Sequence, residues 1–549
     1  MFSFIKKAYQ TLATAEKKFL FWAILVILFL SSVNWIFALI VENDNLYHTS
    51  VNTIAGSDKP VYISQIEQAR QGHILFKNLY TSEPQVARFF APVWLILGWL
   101  GKLTSLSNMA VFHLSRLILA AGFLLLLYLF ITKFFSKIRH RQLAFLTLSL
   151  SAGFGIFTLK RYVSPDILYE FFSTDLWVAE GNTFLTLSHS ALFILSQILI
   201  LYIFWWTIER LAASHLGEVI LVGLLALFLG IFHPYDLVIV ESVLFMWFAG
   251  ESLKNKKINW RSFLKLAIIG ALAALAIGYF IWLIKTEPAL GGWASQNYTL
   301  SPRFLNYLNS FGLLFFGVVL ALYKLVKSSN PYYRFLAIWI IVGWYLLFIP
   351  LQFQRRLANG LHIPMAIAGF LGLMMIIAWL KEKLPKFYAK PVVRLFLWDM
   401  AIVLLTLTTL FNLFIGLVIY SRGLPPHFVS AEIYQAMRWA KDNVQPGQAI
   451  LSSPVIGNIL PSVTGNIVYI GHGHQTIDWQ TKKIKVEDWF FAGNTQDPEK
   501  KAWLNRENIA YIFFSSLEDD FGDFSPQEKD YLKKVYANSE AAIFKVVSH

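Results

Sequence analysis

The 549-residue sequence contains no cysteine, which excludes disulfides, thiolate nucleophiles and Cys-ligated metal centres. Charge is sparse: Asp, Glu, Lys and Arg together make up 15% of the residues, well below the usual share in soluble domains. No G-x-G-x-x-G or Walker run follows any predicted strand, because Gly457 and Gly465 lack that spacing, so no nucleotide site or ATPase module is expected. Serine-hydrolase chemistry lacks its G-x-S-x-G turn and zinc-protease chemistry its H-E-x-x-H helix.

What is present is apolar. Hydrophobic residues reach 56%, with 48 Phe and 19 Trp, and the mean hydropathy is +0.53. Such a composition belongs to a polytopic membrane protein. Candidate spans run over Phe19–Val41, Ala110–Lys133, Ala144–Leu159, His189–Ile208, Val219–Phe232, Leu237–Ala249, Phe263–Ile284, Phe304–Lys324, Phe335–Pro350, Ile363–Leu380 and Leu395–Tyr420, about eleven in all. Lys6, Lys7, Lys17 and Lys18 precede the first, which reads as a retained anchor without a small-residue cleavage pattern.

The formal charge of +14 does not point to nucleic acid, because the basic residues sit in short loops between spans. Lys133 to Arg141, Arg210, Lys254 to Arg261, Lys324 to Arg334 and Lys381 to Arg394 all fall on one side. This places the N-terminus in the cytoplasm and the tail outside. The expected location is the cytoplasmic (inner) membrane of a bacterium. The outer loop Glu42 to Phe89 contains a helix-like stretch, Tyr62–Gly72. Ala91–Leu103 is apolar but short, as in an interfacial helix. Gly155–Ser188 and Glu287–Pro302 are the other sizeable outer loops; the latter reads as a cover over a site or as an interfacial belt.

Composition changes after Leu424-Pro425-Pro426. Phe428–Asp442 has helical spacing, and β-like runs follow at Ala449–Leu451, Ile467–Ile470, Ala510–Phe514 and Ala542–Val547. Helical stretches are expected at Pro498–Arg506 and Pro526–Tyr536. The expected fold is therefore a polytopic α-helical membrane protein, residues 1–423, with a small extracytoplasmic α/β domain, residues 424–549.

Laid through the bilayer in this way, Asp58, His113, Arg116, Lys160, Arg161, Asp166, Asp175, Glu180, His233, Asp236, Arg355, Arg356 and His362 gather at one membrane face. Charges beside apolar spans are costly and usually functional. Asp58 is placed to act as a general base, to hold a divalent metal, or to pair with Lys59 as loop decoration. His113 and Arg116 share a helix face. Lys160, Arg161, Arg355 and Arg356 oppose the positive-inside pattern. Asp166, Asp175 and Glu180 either neutralise nearby bases or join Asp58. His233 and Asp236 sit in a proline turn, and His362 follows the arginine pair. Gly471-His472-Gly473-His474 reads as a glycine-rich surface loop rather than a metal site.

A polyprenyl-phosphate sugar needs a lipid groove, cations for its phosphate and a carboxylate for the acceptor. Each of these is available here. Asp58 would take the acceptor proton and Arg355 and Arg356 would hold the departing phosphate, with Arg116, Lys160 and Arg161 next in line; inversion is the expected stereochemistry. The segments GSDKPVY (Gly56 to Tyr62) and PVWLILGWLGKLTSLSNMAVFHLSRL (Pro92 to Leu117) resemble those of the integral-membrane GT-C glycosyltransferases. The likeness is to bacterial relatives of protein mannosyltransferases and of the lipid A aminoarabinose transferase. The resemblance implies an early catalytic acid at Asp58, a many-spanning body, a polyprenyl-phosphate-linked donor and an extracytoplasmic acceptor. Many relatives carry two neighbouring acids where this chain has Asp58-Lys59, so a divalent ion stays an open cofactor. The second carboxylate stays open among Asp166, Asp175 and Glu180. HPYD (His233 to Asp236) and FQRRLANGLHIP (Phe353 to Pro364) are similar to signatures of an uncharacterised bacterial branch. A lipid-linked glycan flippase and a non-catalytic envelope assembly protein are the rival readings.

The absence of cysteine permits a direct topology test. Single substitutions Ser252→Cys and Ser328→Cys are expected to be shielded from an impermeant thiol reagent in intact cells, and Ser430→Cys to react. Labelling of the first two without the third, with exposure checked after lysis, would reverse the orientation.

Overall fold

Helices start where the sequence supplies a cap. Asn182 accepts the Leu185 amide at 2.9 Å, and Asn330, followed by Pro331, accepts the Tyr332 amide at 2.9 Å. The structure, a computed structural model, describes residues 3–53, 56–161, 173–493 and 496–547. Two compact units result: Met1–Val33, Ser115–Gly278 and Thr299–Ile415 make one, and Asn34–Leu114, Tyr279–Tyr298 and Gly416–His549 the other.

Six described helices are individually long and apolar enough to cross a membrane, or eight segments if two bent pairs each count as one. The expected eleven crossings are therefore not reached by length and composition. Leu216–Phe232 has 17 residues and Pro331–Leu346 has 16, both short for a span. Tyr235–Asn255 carries Asp236, Glu241, Glu251 and Lys254. The predicted straight spans over Phe19–Val41 and Phe304–Lys324 are both broken. Ser31 bonds back to the Leu28 carbonyl at 3.0 Å, a local competitor of the helix ladder. Gly312, at φ +50°, turns the chain by 93° between Phe304–Phe311 and Leu313–Lys327.

In the first unit, Leu313–Lys327 and His362–Lys383 touch through glycines. A Cβ on Gly372 would run into the Gly317 carbonyl, and one on Gly317 into that of Gly369. Small residues let the two backbones approach where apolar burial alone gives little drive. Glu16, buried in the same unit, is satisfied by the Ala13 amide (3.1 Å), the Tyr128 hydroxyl (2.9 Å) and Arg141 (3.1 Å).

The second unit is an α/β layer. A five-stranded sheet in the order β4-β3-β5-β7-β6 uses β3 (Ala449–Leu451), β4 (Ile467–Val468), β5 (Ile509–Ser515), β6 (Leu532–Ala537) and β7 (Ala541–Val546). Pairing is parallel for β3 with β4 and β5, and antiparallel for β7 with β5 and β6. Strand alternation sorts the core: Ile450, Phe513 and Ile543 face one apolar cluster, and Leu451, Ile512 and Phe544 the other. The outer loop joins this layer. β1 (Leu46–His48) pairs antiparallel with β2 (Phe428–Ser430), and Val61 and Tyr80 enter the first cluster.

Three predicted boundaries change. The helix expected from Tyr62 begins at Asp58 and runs to Gln71. Phe428–Asp442 divides into β2 and a helix over Ala431–Asn443, because Ser430 caps the Ile433 amide at 3.2 Å. Pro526–Tyr536 holds only a 3-10 turn over Pro526–Glu528 before β6, where pairing with β7 overrides helical spacing. The Glu287–Pro302 loop contains a helix, Pro288–Gln296; the Gln296 amide contacts the Thr476 carbonyl at 2.5 Å and the Asp478 amide at 3.1 Å.

Gly372→Val is expected to lower the thermal unfolding midpoint of the detergent-solubilised protein, by about 1–3 kcal/mol of stability for an overpacked contact. Gly278→Ala, with open space at its Cβ position, is the matched control and is expected to leave it unchanged. Equal midpoints for both variants would remove the glycine contact from the account of packing.

Candidate active site

Asp58 is the first residue of its helix, where the partial positive charge of the helix terminus favours a carboxylate. Lys59 beside it is buried, with its ammonium 5.6 Å from the Phe112 ring centroid. The Asp58 Oδ1 atom lies 3.0 Å from His472 Nε2. The His472 side chain is 3% exposed and that of Asp58 38%, so the imidazole is interior and the carboxylate still meets solvent.

The loop around His472 fixes which nitrogen carries the proton. Nδ1 accepts from the backbone amides of His474 (3.1 Å) and Gln475 (3.2 Å), which assigns the hydrogen to Nε2 and makes it the donor to Asp58. Gly471 donates to Thr476 Oγ1 at 3.0 Å, which donates to the Tyr80 carbonyl at 2.7 Å. A Cβ on Gly471 would press on the Gly457 carbonyl. The glycines in this motif therefore serve a close backbone approach, and the expectation of a mere surface loop is corrected. His472 is the contact of Asp58 that the sequence reading missed. Its signal was the Gly-His-Gly-His run itself.

His113, expected to support the site, is buried with its ring stacked on Trp35 at 4.1 Å. The remaining described candidates belong to the first unit. Arg116 is fully buried, and its guanidinium donates to the Leu187 carbonyl (2.7 Å), the Ser31 carbonyl (3.3 Å) and Ser32 Oγ (2.7 Å). These bonds direct its donors into the fold. Lys160 and Arg161 end a 3-10 turn, Gly155–Arg161, and Asp166 lies outside the described residues.

Two short segments, 173–183 and 352–362, carry most of the others. The Arg355 guanidinium lies 4.5 Å from the Trp177 ring centroid and that of Arg356 5.1 Å from the Tyr235 ring centroid, both within cation–π range. Arg355 and Glu180 are both within electrostatic reach of Tyr307. His362 contacts Thr183 Oγ1 at 3.0 Å and Ser151 Oγ at 3.3 Å. His233 meets Asp236 at 2.8 Å. Asn359 donates to Asp236 at 3.0 Å and to Ser196 at 2.7 Å, and accepts from Gln197 at 2.9 Å. Thus Asp236 and His233 brace the turn that presents the arginine pair.

Asp175 is fully buried, with Oδ2 accepting the amides of Gly153 (2.9 Å) and Gly155 (3.2 Å). Burial outweighs these bonds and pushes its carboxyl up to about 6. Among the described residues no three His, Asp or Glu side chains are grouped to hold a metal ion. Of these, Asp58 and His472 are in contact and offer two donors.

No family model matches the chain, and no curated protein does. Solved structures do. The archaeal oligosaccharyltransferase AglB from Archaeoglobus fulgidus, in complex with an inhibitory peptide and a dolichol-phosphate, matches with a TM-score of 0.52 at 13% identity, over 92% of this chain and 70% of its own. The arabinofuranosyltransferase AftD from mycobacteria matches with 0.53 at 14%, over 97% of this chain and 40% of its own. ArnT from Cupriavidus metallidurans, bound to undecaprenyl phosphate, matches with 0.51 at 12%, over 98% and 99%. The chain shares the fold of these structures, a polytopic helical body with a small C-terminal domain containing β-structure.

The raised Asp175 carboxyl has a stability consequence. Its folded pKa lies above the unfolded value, so its contribution is fully present below about 4 and is lost as pH rises through about 6. The unfolding midpoint is expected to rise as pH is lowered from 7.5 through about 6, with that part of the slope absent in Asp175→Asn. Parallel pH curves for the two proteins would show that Asp175 does not titrate in this window.

Proposed function

We propose that this chain transfers a sugar from a polyprenyl-phosphate-linked donor to an extracytoplasmic acceptor, by inverting displacement at the bacterial inner membrane. The observation that carries the proposal is the Asp58–His472 pair: a solvent-facing carboxylate at a helix N-terminus, with one oxygen held by a buried imidazole of assigned tautomer. The structures of AglB with dolichol-phosphate and ArnT with undecaprenyl phosphate support a lipid-phosphate donor for a chain of the same fold.

The hydrogen bond from His472 Nε2 to Asp58 Oδ1 orients the carboxylate that takes the acceptor hydroxyl proton. The acceptor oxygen forms its bond to the anomeric carbon as the bond from that carbon to the phosphate oxygen breaks. The electron pair leaves with the polyprenyl phosphate. Arg355 and Arg356 receive that charge; their planar guanidiniums suit bidentate contact with phosphate oxygens. Glu180, which shares Tyr307 with Arg355, is favoured as the second carboxylate over Asp175, whose Oδ2 is taken by two amides.

Two sets of variants test these roles. His472→Gln is expected to lower kcat on the order of 10–100-fold with little change in KM for the donor, the cost of a misplaced base. Arg355→Ala and Arg356→Ala are expected to weaken donor binding, with a loss of about 2–5 kcal/mol for a desolvated charged contact; Arg→Lys should rescue poorly because planar geometry is lost. Unchanged kcat in the first case, or unchanged donor affinity in both alanine variants at matched lipid composition, would remove the corresponding role.

A further inference from the structure

A second polar cavity lies in the same unit as Asp58. Its volume is about 400 Å³, and its walls include Tyr47, His48, Ser50, Tyr434, Arg438 and Asp442. The Asp58 helix contributes Ile63, Glu67 and Arg70 to it, the nearest about 8 Å from the carboxylate along the helix axis. Neither Asp58 nor His472 lines the space, which is within the size range of small-ligand sites.

Its lining is unusual in what it leaves unmet. Ser50 is 4% exposed, yet its Oγ has no hydrogen-bond partner among the described residues. A buried polar atom of this kind costs about 1–3 kcal/mol unless something satisfies it. Ser50 is held at φ +73°, a conformation that non-glycine residues seldom adopt. Tyr47 and Tyr434 are stacked with centroids 3.4 Å apart, forming a partly exposed aromatic wall. Glu67 is already engaged by Lys441 (2.8 Å) and Asn108 (2.7 Å), and Arg70 by the Leu106 carbonyl (2.6 Å). That leaves exposed Arg438 and Asp442 at the rim, a donor and an acceptor one helical turn apart.

We propose that this cavity is a carbohydrate-binding subsite, in which a hydroxyl group of a neutral glycan segment satisfies Ser50 while a sugar face lies against the tyrosine wall. A hydroxyl both donates and accepts, which suits Ser50 Oγ and the Arg438–Asp442 rim better than a phosphate. The site deepens the proposed transferase reading by making the extracytoplasmic acceptor a glycan gripped away from the reacting end. It rests on that reading for the identity of the acceptor alone.

The test is binding of neutral trisaccharides (chitotriose, maltotriose, mannotriose and galactotriose) to the full-length protein in nanodiscs, read by saturation-transfer difference NMR. At least one is expected to bind. Tyr434→Ala and Asp442→Ala are each expected to weaken that binding about tenfold or more, whereas Asp58→Asn leaves it intact and 10 mM inorganic phosphate does not displace it. Arg438→Ala, an exposed rim substitution, gives a second reading if Tyr434→Ala disturbs folding. No binding by any of the four, binding indifferent to the cavity variants, displacement by phosphate, or equal loss in Asp58→Asn would overturn the subsite. Binding that follows the cavity variants in a protein unable to transfer sugar would keep the subsite and reject the transferase reading.

Discussion

The hydrogen bond between Asp58 and His472 joins residues 414 positions apart, and much of the second unit serves to make it. The Asp58 helix packs beside Pro454–Thr464, whose Gly457 carbonyl leaves no room for a Cβ on Gly471. Thr476 then ties the loop to Tyr80, and Trp479 donates to the Gly471 carbonyl at 3.1 Å. A carboxylate held in this way pays its ordering entropy on folding rather than at each turnover. The outer loop and the C-terminal strands consequently form one apolar cluster, with Val61 and Tyr80 beside Ile450 and Phe513.

The first unit is governed by a different requirement. Polar side chains inside an apolar body must be paired, because each unmet group costs several times what a surface contact gains. Arg116 meets this by donating to two carbonyls and a serine. Asp236 meets it with His233, Ser196 and Asn359. Arg355 and Arg356 differ from Arg116 in being half-buried over aromatic rings.

Periodicity made the membrane helices and most of the strands legible, because apolar runs and period-two alternation are local properties. The bends at Ser31 and Gly312 were not legible, since one serine or glycine in an apolar run is compatible with a straight helix. β6 was misread because Leu532–Ala537 acquires its extended form from β7. Asp58 could be singled out as a carboxylate in an early outer loop, and the arginine pair by its exception to the charge pattern. His472 could not be assigned a role, because its meaning lies in a contact across most of the chain. Arg116 drew attention as a charge in an apolar span, and its bonds to Ser31, Ser32 and Leu187 were not legible because they join distant parts of the chain.

The central claim is that Asp58 removes the acceptor proton. Asp58→Asn keeps the size of the side chain and the hydrogen bond from His472 while abolishing its basicity, so turnover and donor binding can be separated in one variant. Purified Asp58→Asn, compared with the unaltered protein for sugar transfer and for binding of a short-chain polyprenyl-phosphate sugar, is predicted to lose transfer almost completely, with donor affinity within a few-fold of the original. Transfer at the unaltered rate would contradict the account.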